Sequence, residues 1–533
     1  MLKHVLVFVA VLCLMSCAKA RKAVDEGDLW WKHIEYLASD DLQGRYTGSD
    51  GYRKAANYVA QEFQSLGLQP RGTEGYLQRA EFDTRRLIPG KSSVEVVIDG
   101  KIQELEVPEE AIPFPSGNSG DVVEAPLLFA GYGLVVPESG YDDFAGLPTA
   151  GAVAIAFAGA PKSVASLVAA HYSSPEMATR NGVQKGLRGS LLVANPRVFD
   201  LPWDRLINSV LQTAMEPRLP GMREVWKAGP FALVKPEALD RILAGSGHTL
   251  REISDLDAGG KPLPHFALKA RIRMKPVFVS DEVTAPNVVA MFPGSDPTLK
   301  NEFVLLSAHL DHIGVGEPVN GDRIYNGAMD NASGVATLLE VARLLKVSGK
   351  QFKRSILFLA CTGEEEGEKG SLYFAEKPTV DLKNVVADIN LDMYLPLFPL
   401  KELRAYGLGE SDLAGYLQTA AGENGIRVQA DPTPERNIFI RSDQYSFIKK
   451  GVPALFLSFG YDSGSHEETL VNAWFEHRYH APSDDLKQPV DKQAAAKFNQ
   501  LMATLSERIA NTQQRPRWKQ DSFFRRFVQS RGL

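Results

Sequence analysis

Several polar side chains of this sequence stand directly after apolar runs or in turn-rich segments, where groups that bind metals or transfer protons can be exposed at the end of a strand. The candidates are two histidines and five acidic residues: His309, Asp311, Asp330, Glu364, Glu365, Asp392 and His480. Three consecutive carboxylates, at 364–366, would repel one another unless a cation or solvent neutralised them. Imidazole and carboxylate ligands together suit zinc. The sequence therefore indicates a zinc site that is open to water.

Apolar runs predict the elements that position these side chains. The runs at 303–308, 356–361 and 385–391 are continuous, as is typical of buried parallel strands, and 335–345 is predicted to be helical. Open α/β sheets place their sites at the carboxyl ends of such strands. We therefore expect His309, the glutamates and Asp392 to meet at one edge of a sheet.

Six stretches resemble one known family, the co-catalytic di-zinc exopeptidases. This family includes secreted bacterial leucyl aminopeptidases and glutamate carboxypeptidase II, and the transferrin receptor is a relative without activity. The stretches occur in the family's order: SAHLDH, NGAMDNASGVA, TGEEEGEKGS, NLDMY, SDQYSFIKKGVPAL and YHAPSD. The resemblance extends over most of residues 30–75 and 285–510. It implies an α/β fold with a central mixed β-sheet flanked by helices.

The resemblance also implies a role for each candidate residue. Two zinc ions per chain would be held by His309, Asp330 and Asp392 on one side and by Asp330, Glu365 and His480 on the other, with Asp330 as the bridge. Glu364 matches the general base, and Asp311 matches the carboxylate that supports His309. The implied function is removal of the N-terminal residue from peptides, which are the expected substrates.

The chain is long enough for at least two hydrophobic cores. The sequence pattern changes between the two parts that resemble the exopeptidase family. Residues 21–80 and 281–511 are assigned to the catalytic domain. Residues 81–280 contain short strands separated by Gly and Pro, and they resemble an inserted β-rich protease-associated domain. Three histidines in this insert are interpreted as structural or surface residues: His171, His248 and His265.

The two ends of the sequence carry their own signals. Residues 1–20 have the pattern of a signal peptide, and Leu14-Met15-Ser16-Cys17 resembles a bacterial lipobox that would make Cys17 a lipid anchor. An ordinary cleavage site after Ala18 or Ala20 is the alternative. We expect an exported bacterial protein, periplasmic or anchored in the outer membrane. The basic, aromatic tail at 512–533 would dock on acidic lipid, or it would pack on the domain or be disordered, which we favour.

Charge and cysteine content bear on binding partners and on disulfide bonds. The net charge of −6 is spread along the chain and does not suggest a nucleic-acid partner. Of the three cysteines, only Cys361 would remain available after processing, so no intramolecular disulfide is expected.

Some assignments stay open at this level. His466 and His477 compete with His480 as the last ligand, and His312 is interpreted as lying beside the ligands rather than among them. Phe439 and Tyr445 stand where some relatives have an oxyanion-stabilising tyrosine. A glutaminyl cyclase-like enzyme with one zinc and a non-catalytic receptor are the alternative functions.

Overall fold

The computed structural model describes residues 26–199, 202–220 and 229–529. The predicted signal peptide and the proposed anchor Cys17 lie outside the described residues. Two compact units are present. Unit 1 comprises residues up to 80, 284–432 and 441 onward, and unit 2 comprises 81–283 and 433–440.

The described residues form strands with these bounds, in chain order: β1 (Gln69–Pro70), β2 (Leu77–Leu87), β3 (Ser93–Ile98), β4 (Lys101–Leu105), β5 (Ala111–Pro113), β6 (Val123–Ala130), β7 (Val135–Val136), β8 (Tyr141–Asp142), β9 (Val153–Phe157), β10 (Gly189–Val193), β11 (Ala214–Pro217), β12 (Phe231–Val234), β13 (His265–Lys275), β14 (Phe278–Phe292), β15 (Phe303–His309), β16 (Gly314–Val319), β17 (Asp322–Tyr325), β18 (Ser355–Cys361), β19 (Val385–Asn390), β20 (Glu402–Tyr406), β21 (Arg427–Ala430) and β22 (Ala454–Phe459).

The described α-helices have these bounds, in chain order: α1 (26–37), α2 (Asp50–Ser65), α3 (Ser166–Ser173), α4 (Pro175–Gln184), α5 (Trp203–Val210), α6 (Leu239–Ile242), α7 (Leu250–Ala258), α8 (Ser333–Val347), α9 (Lys369–Glu376), α10 (Leu413–Glu423), α11 (Gln444–Ile448), α12 (His466–His477), α13 (Lys492–Asn511) and α14 (Arg526–Gln529).

The centre of unit 1 is a mixed sheet with the strand order β14-β18-β15-β19-β22-β20-β21. Four neighbouring strands, β18, β15, β19 and β22, are parallel. The outer pairs β14/β18 and β20/β22 are antiparallel. The expected central mixed sheet is therefore confirmed, and three of its parallel strands are those predicted from the apolar runs.

The middle strands β15, β18 and β19 are buried along their whole length. Helices α8 and α13 lie against β15 and β18, and Leu305, Leu357 and Leu359 share a hydrophobic core with Phe374 of α9 and Phe447 of α11. Because helices cover both faces, apolar side chains are favoured at every position of these strands and the run is continuous rather than alternating.

Hydrogen bonds fix two features near the carboxyl end of the described chain. The last long helix, α13, begins at Lys492, because the Asp491 side chain accepts a hydrogen bond from the Ala494 N–H and caps it there. The described part of the tail packs on unit 1: Trp518 is buried and donates to the Gly451 carbonyl over 3.1 Å.

Unit 2 has an eight-stranded sheet with the order β4-β3-β13-β6-β9-β10-β12-β5. Four neighbouring strands, β6, β9, β10 and β12, are parallel, and the unit also contains helices α3 to α7. The three histidines predicted to be structural or surface residues lie within it. His265 is 2.8 Å from Asp143, His248 is 3.0 Å from Glu252, and His171 is buried.

No helix among the described residues combines the length and apolar composition that crossing a membrane requires.

Candidate metal centre

The candidate residues converge on the carboxyl edge of the parallel strands in unit 1. Strand β15 ends at His309, β18 leads into the loop with Glu364 and Glu365, and β19 ends two residues before Asp392. Since these strands are parallel and adjacent in the order β18-β15-β19, their carboxyl ends meet. The structure thus brings His309, the two glutamates and Asp392 to one edge of the sheet, as the apolar runs predict.

Asp330 reaches the same edge from the irregular turn Ala328–Ala332, in which the backbone of Asp330 and Asn331 is not helical and which leads into α8. The carboxylate of Asp484 accepts hydrogen bonds from the backbone N–H groups of Met329 and Asp330, at 2.9 and 3.0 Å. The Asn331 side chain donates to the Leu391 carbonyl over 2.9 Å, which links this turn to the segment that carries Asp392. The position of Asp330 is therefore fixed by buried polar contacts on both sides.

One group of ligand atoms surrounds the imidazole of His309. Its Nε2 atom lies 3.3 Å from Oδ1 of Asp330 and 3.3 Å from Oδ1 of Asp392. The other oxygen of Asp392 accepts a hydrogen bond of 2.7 Å from the Ser442 hydroxyl. These three side chains form one of the clusters compact enough to hold a metal ion.

The second group lies on the other side of Asp330. Nε2 of His480 is 3.3 Å from Oδ2 of Asp330 and 3.2 Å from Oε2 of Glu365. Asp330 thus offers one carboxylate oxygen to each group, which is the arrangement that a bridging ligand needs. Of the three competing histidines, His466 and His477 are exposed, while His480 contacts the carboxylates.

His312 occupies a more central place than the sequence suggested. Its Nδ1 atom is 2.6 Å from Oε1 of Glu365 and 3.9 Å from Oδ2 of Asp330, and the ring is fully buried. Together these residues form another compact cluster. The structure therefore brings two imidazoles, those of His312 and His480, to the same pair of carboxylates. The signal for His312 was its position in the segment SAHLDH.

Asp311 makes contacts other than those expected. Nδ1 of His309 lies 3.2 Å from the backbone carbonyl of Asp311, whereas the nearest carboxylate oxygen is 4.0 Å away. The Asp311 carboxylate instead accepts from the backbone N–H groups of Glu364 and Glu365, at 3.2 and 3.3 Å. Its side chain therefore fixes the glutamate loop, and its main chain supports the imidazole.

The two adjacent glutamates differ in their electrostatics. Burial raises the pKa of the Glu364 carboxyl well above its ordinary value, and the charges of Asp392 and Glu365 act in the same direction against that of His309. Burial alone would also raise the pKa of Glu365, but the rings of His480 and His312 lower it to about 2. Glu365 is thus suited to remain an anionic ligand, and Glu364 to exchange a proton.

The donor set fits zinc. Buried carboxylates separated by only a few ångströms need a positive charge between them. Imidazole nitrogens and carboxylate oxygens are zinc ligands, and contacts of 3.2–3.3 Å bring these atoms together in both groups.

Three aromatic residues bear on the question of which side chain could stabilise an oxyanion. Phe439 has no polar side-chain atom. Tyr445 is buried, and the Lys449 ammonium lies 5.0 Å from the centre of its ring. The Tyr479 ring stands 4.0 Å from that of His480, measured between centroids. Tyr479 therefore lies next to the ligand candidate His480. The family resemblance pointed only to the positions of Phe439 and Tyr445.

Comparison with known proteins supports this description. The chain is 31% identical over 117 residues to leupeptin-inactivating enzyme 1 of Streptomyces exfoliatus, covering 22% of this chain and 24% of that protein. It is 34% identical over 112 residues to a probable leucine aminopeptidase of Arthroderma benhamiae, covering 20% and 29% of the two chains. The matches thus span about a quarter of the length of these relatives.

Among solved structures, an aminopeptidase from Aneurinibacillus sp. strain AM-1 superposes with a TM-score of 0.55 at 20% identity, covering 91% of this chain and 94% of that one. The likeness shows the same fold. Residues 287–506 match the model of Peptidase family M28, and this span includes all seven candidate residues. Residues 287–506 are therefore similar to a Peptidase family M28 domain.

Proposed function

We propose that this protein is a zinc-dependent aminopeptidase that binds two zinc ions and removes the N-terminal residue of peptides. The observation that carries the proposal is the division of the Asp330 carboxylate, with one oxygen toward His309 and the other toward His480. A single carboxylate shared in this way is what a two-metal site requires. The names of the relatives and the M28 match support the same function.

The residues that would hold zinc form two sets with Asp330 in common. His309 and Asp392 complete one set, and Glu365 with His480 completes the other, with His312 as an additional imidazole beside it. When bound, zinc supplies Lewis-acid polarisation of a peptide carbonyl and lowers the pKa of water.

Glu364 is the proposed general base. Its side chain is partly exposed, at 14%, and lies 4.0 Å from Nε2 of His309. Its carboxylate would accept a proton from the attacking water and deliver that proton to the nitrogen of the leaving amine as the C–N bond breaks. The acidic groups Glu364 and Asp392 also favour a substrate with a cationic, free α-amino group.

The deciding experiment is hydrolysis of aminoacyl-nitroanilides by the purified protein with chelator, and then with zinc restored. We expect cleavage of substrates with a free amino group, loss of activity on chelation and recovery with zinc. The N-acetylated form of the best substrate is the matched control and should not be cleaved. Absence of hydrolysis by zinc-loaded protein would contradict the proposal, and ammonia release from glutaminyl peptides with one zinc per chain would favour the cyclase.

We also propose that the protein is exported and held at a membrane by a lipid on Cys17. The support is the sequence Leu14-Met15-Ser16-Cys17 after an apolar run. Replacing Cys17 by Ser in the full-length precursor should release the protein into the soluble fraction or leave the precursor uncleaved. Unchanged membrane association of a correctly trimmed variant would contradict the anchor.

A further inference from the structure

Arg45 is a charged side chain with no exposed surface, and its contacts are unusual. It ends the turn Asp40–Arg45. Its guanidinium donates hydrogen bonds to four backbone carbonyls: those of Leu310 (2.9 Å), Leu37 (2.5 Å), Asn326 (2.6 Å) and Gly327 (3.0 Å). The planar fork of arginine can serve several acceptors at once in this way.

Three of these carbonyls belong to the segments that carry ligand candidates. Leu310 follows His309 directly, and Asn326 and Gly327 stand just before the turn that contains Asp330. The backbone of Arg45 adds a further contact to the first of these segments, because its carbonyl accepts a hydrogen bond of 3.4 Å from the N–H of His312. One side chain thus ties together the two ends of the β16–β17 hairpin.

The residues next to Arg45 reach the remaining segments. The hydroxyl oxygen of Thr47 accepts a hydrogen bond of 3.1 Å from the N–H of Gly363, directly before Glu364. Gly44, at φ +66°, lies so close to the hairpin that an added Cβ would stand 2.3 Å from the Tyr325 carbonyl oxygen. Residues 44–47, which we call the clamp, therefore touch every ligand-bearing loop between 310 and 364.

The charge of Arg45 fits the same location. Burial lowers the pKa of its guanidinium to about 10, and the carboxylates of Asp484, Asp311 and Asp330 oppose this. The group therefore stays cationic at neutral pH and adds positive charge behind the acidic site.

We propose that the clamp sets the zinc affinity of the site, with Arg45 as a positioning residue that holds the His309 and Asp330 segments at the separation that the metal needs. This inference rests on the proposed function. A preformed spacing lowers the cost of bringing ligands together, and loss of groups that orient ligands typically lowers metal affinity by about 10–100-fold.

The test compares Arg45→Met with a matched control, Arg354→Met. Arg354 is equally buried in unit 1 and binds Glu302 over 2.7 Å together with the carbonyls of Ile509 and Thr512. It precedes β18, at the opposite edge of the sheet from the site. Zinc affinity of the folded variants is measured by competition with a chromogenic chelator, alongside thermal unfolding of the zinc-free proteins.

If the clamp acts on the metal site, Arg45→Met loses about 10–100-fold in zinc affinity, whereas Arg354→Met loses stability but keeps wild-type affinity. Arg45→Lys should be intermediate, because lysine keeps the charge and some of the donors. Equal zinc affinity in Arg45→Met and wild type would overturn the inference and leave the proposed function intact. Wild-type protein that binds no zinc would overturn both.

A milder pair keeps the test decisive if Arg45→Met does not fold. Thr47→Val removes only the acceptor of the Gly363 N–H and should weaken zinc binding by about 10-fold. Thr337→Val is its control, since Thr337 is also fully buried with a hydrogen-bonded hydroxyl, 2.8 Å from Asn499 in the helical core. Identical zinc affinity in these two variants would overturn the inference.

Discussion

Glu364 and Glu365 are neighbours in the chain, yet their side chains serve different partners. Glu365 contacts the imidazoles of His312 and His480, while Glu364 lies toward His309. Both residues lie in the turn that follows β18, and their side chains reach different groups there, so one can bind metal while the other accepts a proton. The opposite directions of their pKa shifts follow from this difference.

The first prediction separates these two roles. Glu364→Gln keeps the shape of the side chain but cannot accept a proton, so kcat should fall by roughly 10²–10⁴-fold while both zinc ions and substrate affinity are retained. Glu365→Gln should weaken zinc binding, and excess zinc should partly restore its activity. Measuring kcat and bound zinc across a zinc titration decides between them. Loss of metal in Glu364→Gln with retention in Glu365→Gln would mean that the roles are exchanged.

The second prediction concerns the bridge. Because the two oxygens of Asp330 face different imidazoles, Asp330→Ala should lose zinc from both positions, whereas His480→Ala should chiefly empty one. Metal analysis of the purified variants provides the measurement. Two zinc ions retained by Asp330→Ala would refute the bridging assignment.

His312→Ala is the matched variant for His480→Ala, since both rings contact Glu365. If His480 is the ligand, zinc content should fall further in His480→Ala than in His312→Ala. The reverse order would assign the second position to His312 instead.

At the scale of elements, the sequence predicts the strands more securely than the loops between them. Continuous apolar runs identified β15, β18 and β19, and an acidic or histidine residue after each run located the edge of the sheet. The contacts of Asp311, His312 and Arg45 were not predictable in this way, because they depend on loops from distant parts of the chain meeting in space. The spacing of residues along the chain does not indicate which distant backbone groups a buried side chain will contact.

The buried carboxylate of Glu340 on helix α8 is another feature that appears only in the folded chain. Its two oxygens accept hydrogen bonds from Arg343 at 2.7–3.0 Å, and the His33 ring lies 3.7 Å away. Burial alone would raise the pKa of this carboxyl, but His33 and Arg343 lower it overall below 4.5. The folded protein therefore holds this proton more weakly than the unfolded chain.

The third prediction follows from the sign of that shift. A depressed carboxyl pKa contributes stability above the unfolded value, near 4.5, and this contribution is lost as the pH falls through the folded value. Glu340→Gln should lower the free energy of unfolding at pH 7 by about 1–3 kcal/mol. The difference from wild type should shrink below about pH 4.5. Denaturant unfolding between pH 3.5 and 7 checks this, and a difference that does not change with pH would contradict it.

For the whole molecule, the sequence predicts at least two cores and the chain forms two compact units, but the sequence gives no sign of one segment of unit 2. Residues 433–440 come from the chain between β21 and Arg441, yet they belong to unit 2, where they pack against helix α3. Their short 3₁₀ turns, Pro434–Arg436 and Ile438–Ile440, carry no pattern that would assign them to either unit. All candidate ligands, in contrast, lie in unit 1.

The last prediction uses this confinement of the ligands to unit 1. A ligand that binds only the folded state stabilises it, so zinc at about 100 times its Kd should raise the free energy of unfolding of unit 1 by about 2.7 kcal/mol. Hydrogen exchange should then slow in peptides from β15, β18 and β19, while peptides from β9 and β10 of unit 2 keep their native-state exchange rates. The control is Asp330→Ala, which keeps the same strands but lacks the shared carboxylate and should show no zinc-dependent slowing. Equal slowing in Asp330→Ala and wild type, or slowing confined to unit 2, would place zinc binding elsewhere and refute the assignment of the site.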